Sequence, residues 1–91
     1  MYDEEKLDEV VLALLHLNSF PDHGATRAWK GFDWDALNRL HDAGLISDPR
    51  SKAKSIVLTE EGARRAEALF ERHFGAAQVT LPEAPEVQTD I

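Results

Sequence analysis

The chain has 91 residues, 17 acidic and 10 basic side chains, a net charge of −7 and no cysteine. A chain this short supports one domain that buries only about 60% of its unfolded surface, and without cysteine it can form neither disulfides nor thiolate metal sites. It shows no charged-then-apolar leader and no apolar run long enough to span a membrane, so the expected location is cytoplasmic.

The charge is unevenly spread. Residues 1–9 carry −4 and residues 75–91 carry −3, which leaves nine acids against nine bases in residues 10–74. A neutral body with acidic ends still leaves room for a local basic patch, so the overall charge does not exclude a polyanionic partner.

Asp3, followed by Glu4 and Glu5, caps and charge-matches a helix start, and the apolar residues continue to Leu17, which predicts a first helix over 3–18. On a helical projection Leu7, Val10, Val11, Leu14, Leu15 and Leu17 form a broad stripe that Leu12 widens further. Such a stripe suits a helix buried at the centre of the fold, or one with a second contact, such as a dimer partner, on its Leu12 side. "NSFPDHGAT", residues 18–26, gathers Pro, Gly, Asn and Asp and reads as a loop. "RAWKG" then reads as a single helical turn that stops at Gly31. Asp33 is the expected N-cap of a third helix, "WDALNRLHDA", with Gly44 as its left-handed C-cap. Asp35, Asn38, Arg39 and Asp42 make up its outward face.

After Gly44 the spacing changes. "LIS" and "SIVL" bracket "DPRSKAK", which predicts a hairpin over 45–58 with a basic tip. Thr59 caps a fourth helix in which Ala63, Ala66, Leu69, Phe70 and Phe74 share a face, and Gly62 in its first turn marks a close approach. Beyond Gly75 come two prolines, three acids and no helical stripe, the composition of a flexible tail. The expected organisation is a domain over 1–75 and a tail over 76–91.

The fold class expected from this order is mainly α with a small β-hairpin, a winged-helix-like single domain built as helix, short helix, helix, wing hairpin, helix. "LNRLHDAGLI" with "IVLTEEG" resembles the third helix, wing and following helix of small bacterial winged helix-turn-helix regulators, through Leu37, Leu40, Gly44, Leu45, Ile46, Leu58, Thr59 and Gly62. Over roughly residues 3–75 the chain also resembles a family of short uncharacterised bacterial proteins. They share the block "RAWKGFDWDALNRLHDAGLISDP" with "KAKSIVLTEEG", and that resemblance implies no activity.

The residues argue against catalysis. His16, His23, His41 and His73 form no metal-binding motif and read as core histidines, and Asp33 with Asp35 reads as a cap and a dipole-matching carboxylate. No glycine-rich phosphate loop or nucleophile elbow accompanies them, so no cofactor, metal or small-molecule ligand is expected. Trp29, Phe32 and Trp34 could stack on bases, but in a domain with few aromatic residues they read first as a core corner. The leading expectation is a non-catalytic interaction module, a homodimer or an adaptor for another protein, using Leu12, Leu69, Phe70 and Phe74. The alternative is a nucleic-acid-binding regulator. In it Asn38 and Arg39 of the third helix reach bases, while Arg50, Ser51, Lys52, Lys54 and Ser55 touch phosphates from the wing. Asp35 and Asp42 on the reading face oppose that role.

Overall fold

The computed structural model describes residues 1–76. In chain order they form α1 (Glu4–Leu17), β1 (Ser19–Asp22), β2 (Ala25–Trp29), α2 (Trp34–Asp42), β3 (Ser55–Leu58) and α3 (Glu60–Phe74). The strands make one antiparallel sheet in the order β1-β2-β3. The described residues are therefore a mixed α and β fold, not a mainly helical one. The expected tail lies outside them, apart from its first residue, Ala76.

The three long helices start where the capping residues predict. Asp3 accepts hydrogen bonds from the amides of Glu5 and Lys6, Asp33 from Ala36, and Thr59 from Gly62. Each side chain satisfies amides that have no partner inside the helix.

The segment between α1 and α2 departs from the sequence reading. The predicted loop over 18–26 and the helical turn at "RAWKG" are instead the β1–β2 hairpin. His23 and Gly24 both have positive φ, 52° and 82°, as a two-residue type I′ turn requires, and that turn matches the twist of the flanking strands. Pro21 is tolerated because, among the described residues, β1 is an edge strand with one side unpaired. Around Arg27 the side chains alternate between faces, with Ala28 fully buried and Trp29 55% exposed, a period of two that a helical turn would not give. With β2 in its place, the short second helix of a helix-turn-helix is absent among the described residues.

The predicted wing is also rearranged. β3 pairs along its whole length with β2, and its other side meets residues 45–47 through a single bridge, Ile46 to Leu58. The Ser47 amide donates to the Val57 carbonyl at 2.8 Å and the Thr59 amide to the Leu45 carbonyl at 3.0 Å. The arms of the expected hairpin thus meet, but its basic tip is a broad loop.

The core joins Val11, Leu12 and Leu15 of α1 to Leu37 and Leu40 of α2, Ile56 and Leu58 of β3, Leu45, Ile46 and Ala66. Leu12 is only 2% exposed, so it is a core residue and not a free contact. The wide stripe of α1 has its explanation in the central position of that helix. Gly62 meets the expectation of close packing: a Cβ there would lie 1.8 Å from the Leu45 carbonyl oxygen. No helix among the described residues is long and apolar enough to cross a membrane.

Candidate nucleic-acid interface

The strand register decides which side chains share the outer face of the sheet. Phe20 lies opposite Arg27, Arg27 opposite Val57, and Trp29 opposite Ser55. Residues opposite one another point to the same side, so these five stand on the face away from buried Ala28 and Ile56. The Phe20 and Trp29 rings meet with centroids 4.9 Å apart and planes at 33°. Arg27 donates from Nε to the Ser55 hydroxyl at 2.8 Å and from Nη2 to the Ser55 carbonyl at 3.4 Å, with Asp22 3.9 Å from its Nε. Ser55, expected as a phosphate contact, is buried and engaged by this arginine.

At the Trp29 end of this face lies the basic loop. Lys30 fastens it: its amide donates to the Lys54 carbonyl at 3.2 Å, and its Nζ donates to the carbonyls of Pro49 at 2.6 Å and Ser51 at 2.7 Å. The same Nζ lies 6.0 Å from the centroid of Trp34. Arg50 folds back on Asp48, donating from its amide and its Nε at 2.9 Å each. These bonds hold the Asp48 carboxyl below the ordinary carboxylate range. Ser51, Lys52 and Lys54 are exposed, and neither lysine has an ion-pair partner among the described residues.

Of the aromatic run, Phe32 packs on the core as expected. Trp29 and Trp34 do not form a core corner, being 55% and 49% exposed.

On the outward face of α2, Asp35 and Asp42 are exposed, while Asn38 and Arg39 are half-buried. Arg39 grips Asp8 from Nε at 2.7 Å and Nη2 at 2.9 Å, with Glu4 at 3.5 Å from Nη1, and the hydrogen bonds to Asp8 raise its pKa well above its usual range. The Oδ1 of Asn38 is buried without a hydrogen-bond partner among the described residues. The sequence places Asn38 and Arg39 outward, and in the structure Arg39 is drawn against Asp8 and Glu4 of α1.

The residues expected to self-associate are spread over different depths. Leu69 packs partly buried against the core, and Phe70 sits between His16 at 5.3 Å and Phe74 at 5.4 Å, measured between ring centroids. Phe74 is 49% exposed, and Leu17 at the end of α1 is 61% exposed.

A groove of about 500 Å³ runs between the helices over Leu12, Leu40, Leu45 and Leu69, edged by Asp8 and Arg39. On the same side Glu61 binds both Arg64 and Arg65, which lowers its carboxyl pKa. Of the histidines, His41 lies 3.0 Å by Nδ1 from the Ile46 carbonyl, whereas His23 is an exposed turn residue beside Asp22 and not a core one. Among the described residues no three His, Asp or Glu side chains are grouped to hold a metal.

Phe20, Arg27 and Lys30 were not among the sequence-predicted site residues. The signal that could have found them is "DHG" flanked by residues of alternating size and polarity.

Residues 3–76 match the family described as a domain of unknown function, DUF6429. The chain is similar to the uncharacterized protein y4hR of Sinorhizobium fredii (strain NBRC 101917 / NGR234), with 57% identity over 72 residues, 79% of this chain and 93% of that protein. No solved structure matches the chain significantly. The family match begins at the cap of α1 and ends just past α3, so it takes in every helix and strand described above, and the chain belongs to the DUF6429 family.

Proposed function

We propose that the chain is a non-catalytic nucleic-acid-binding module that engages phosphates with the loop between α2 and β3. The observation that carries this reading is the state of Lys52 and Lys54, exposed and without ion-pair partners among the described residues, on a loop that Lys30 fastens at both ends. A lysine with no internal partner can meet a phosphate without giving up a salt bridge, and a fastened loop loses less freedom on binding. The winged-helix comparison is useful for the segment from α2 to α3, as a wing acting without a recognition helix, since Arg39 is held by Asp8.

Fluorescence polarisation with a random duplex across a salt series tests the reading. Two lysines give a slope of log K against log salt of about −1.8, and release of Arg50 from Asp48 steepens it to about −2.7. Lys52→Ala should weaken binding to every sequence alike and reduce the slope by about 0.9. Absence of binding at about 50 mM salt to any nucleic acid would sink the reading.

A second reading is self-association, favoured by the exposure of Phe74, whose ring packs on half-buried Phe70. In it the chain is a homodimer or adaptor that closes this apolar end of α3 against a partner. Sedimentation at micromolar concentration should show a dimer that Phe74→Glu dissociates; a monomeric parent chain would remove this reading.

A further inference from the structure

Resting on the phosphate-binding reading of the loop, we propose that the outer face of the sheet is a stacking platform for unpaired nucleobases, so that the ligand is single-stranded nucleic acid. Trp29 offers the ring on which a base stacks, Phe20 braces it, Arg27 presents a cation beside it, and Lys52 and Lys54 take the phosphates.

The first support is where the aromatic residues lie. The fully buried core is built from Val, Leu, Ile and Ala and contains no aromatic ring, while Trp29 and Trp34 are half-exposed. Aromatic side chains carry the largest apolar surface of any residue and are normally used to fill interiors. Here Phe32 packs against the core from its edge, and both tryptophans are left half-exposed.

The second support is order. Trp29 stands on a strand, packed at 4.9 Å against Phe20, and Arg27 is fixed by the Ser55 hydroxyl and carbonyl. The ring and the guanidinium are therefore positioned before a ligand arrives, which reduces the entropy lost on binding.

The third support is continuity. Trp29 is the last residue of β2 and lies opposite Ser55, and the next amide along, from Lys30, bonds to Lys54. A strand with one base on Trp29 would have its backbone beside the lysine loop. Asp22 stands on the same face, as an ion-pair partner of Arg27 3.9 Å from its Nε, but its backbone pairs with Ala25 at the hairpin end of the sheet, away from Trp29 and the lysine loop.

The geometry favours single strands because an exposed aromatic ring on the sheet meets base faces, and those are available only where bases are unpaired. In a duplex they are covered by their neighbours and only groove edges can be read. A proline-rich peptide is the competing occupant of an exposed tryptophan surface, but it has no use for Lys52 and Lys54.

The test is fluorescence polarisation at low salt with a labelled 15-nucleotide single strand, a duplex of the same length and a proline-rich decapeptide. The single strand should bind at least about 10-fold more tightly than the duplex. Trp29→Ala should weaken single-strand binding by about 5- to 150-fold, the loss of one stacked base, while leaving duplex binding and the salt slope in place. Trp29→Phe should retain most of the affinity, which separates stacking from a folding defect. Lys52→Ala combined with Lys54→Ala should weaken both nucleic acids and reduce the single-strand slope by about 1.4.

Equal affinity for the two nucleic acids, insensitive to Trp29→Ala but reduced by the double lysine change, would overturn the platform and leave the phosphate-binding loop standing. Binding of the decapeptide in place of the single strand would overturn the platform as a nucleobase site. No binding to either nucleic acid would overturn the loop and the platform together.

Discussion

Arg39 links α2 to the first turns of α1 through Asp8 and Glu4, and this attachment makes it a structural residue. Arg39→Ala is expected to lower the melting temperature by several degrees while leaving any preference among nucleic-acid sequences unchanged; circular dichroism and polarisation read the two effects separately. Arg50 and Asp48 make a more exposed pair that titrates in acid. Because Arg50 lowers the folded-state pKa of Asp48, the pair stabilises the loop above the ordinary Asp pKa of about 3.9, and that contribution is lost as pH falls through the depressed value. The Arg50 amide resonance should therefore hold its position down to about pH 4 and move below it, and Asp48→Asn should abolish the movement. At this scale the sequence is readable where chemistry is local. Asp3, Asp33 and Thr59 cap helices that begin at the next residue, but nothing in the spacing announces that Arg39 will meet Asp8, 31 residues away.

Gly62 shows how an element is positioned by a missing side chain. In a helix, alanine is usually better than glycine by about 1 kcal/mol, but here a Cβ would sit 1.8 Å from a backbone oxygen of Leu45, which cannot swing aside as a side chain would. Gly62→Ala should therefore destabilise the protein, with overpacking of about 1–3 kcal/mol outweighing the gain in helix propensity; chemical denaturation measures the net sign. The sequence showed this contact through a glycine in the first turn of a helix. It did not show the β1–β2 hairpin, because Pro21 and the cluster around Asp22 and Gly24 carry the composition of a loop. The decisive features were the turn at His23 and Gly24, both at positive φ, and the opposite burial of neighbouring Ala28 and Trp29. Taking "RAWKG" for a helical turn also hid the alternation that puts Arg27 and Trp29 on one face.

Across the whole molecule, α1 is the element that the others cover, and Leu12 lies where its contacts with α2 and α3 converge. Leu12→Ala is expected to cost about 2–5 kcal/mol, a large fraction of the stability of a domain this small, and a thermal melt should show it without any change in association state. The breadth of the α1 stripe was legible in the sequence. Its meaning was not, because a buried helix and a dimerising one require the same apolar residues until the neighbours are known. The mixed fold in turn leaves β1 as an outer strand of the sheet, a position from which sheets can recruit strands of other molecules and grow into fibres. Pro21 stands there with no amide hydrogen to offer such a strand, and the charge of Asp22 follows it. The residue that disguised this segment as a loop also makes it a poor template for aggregation.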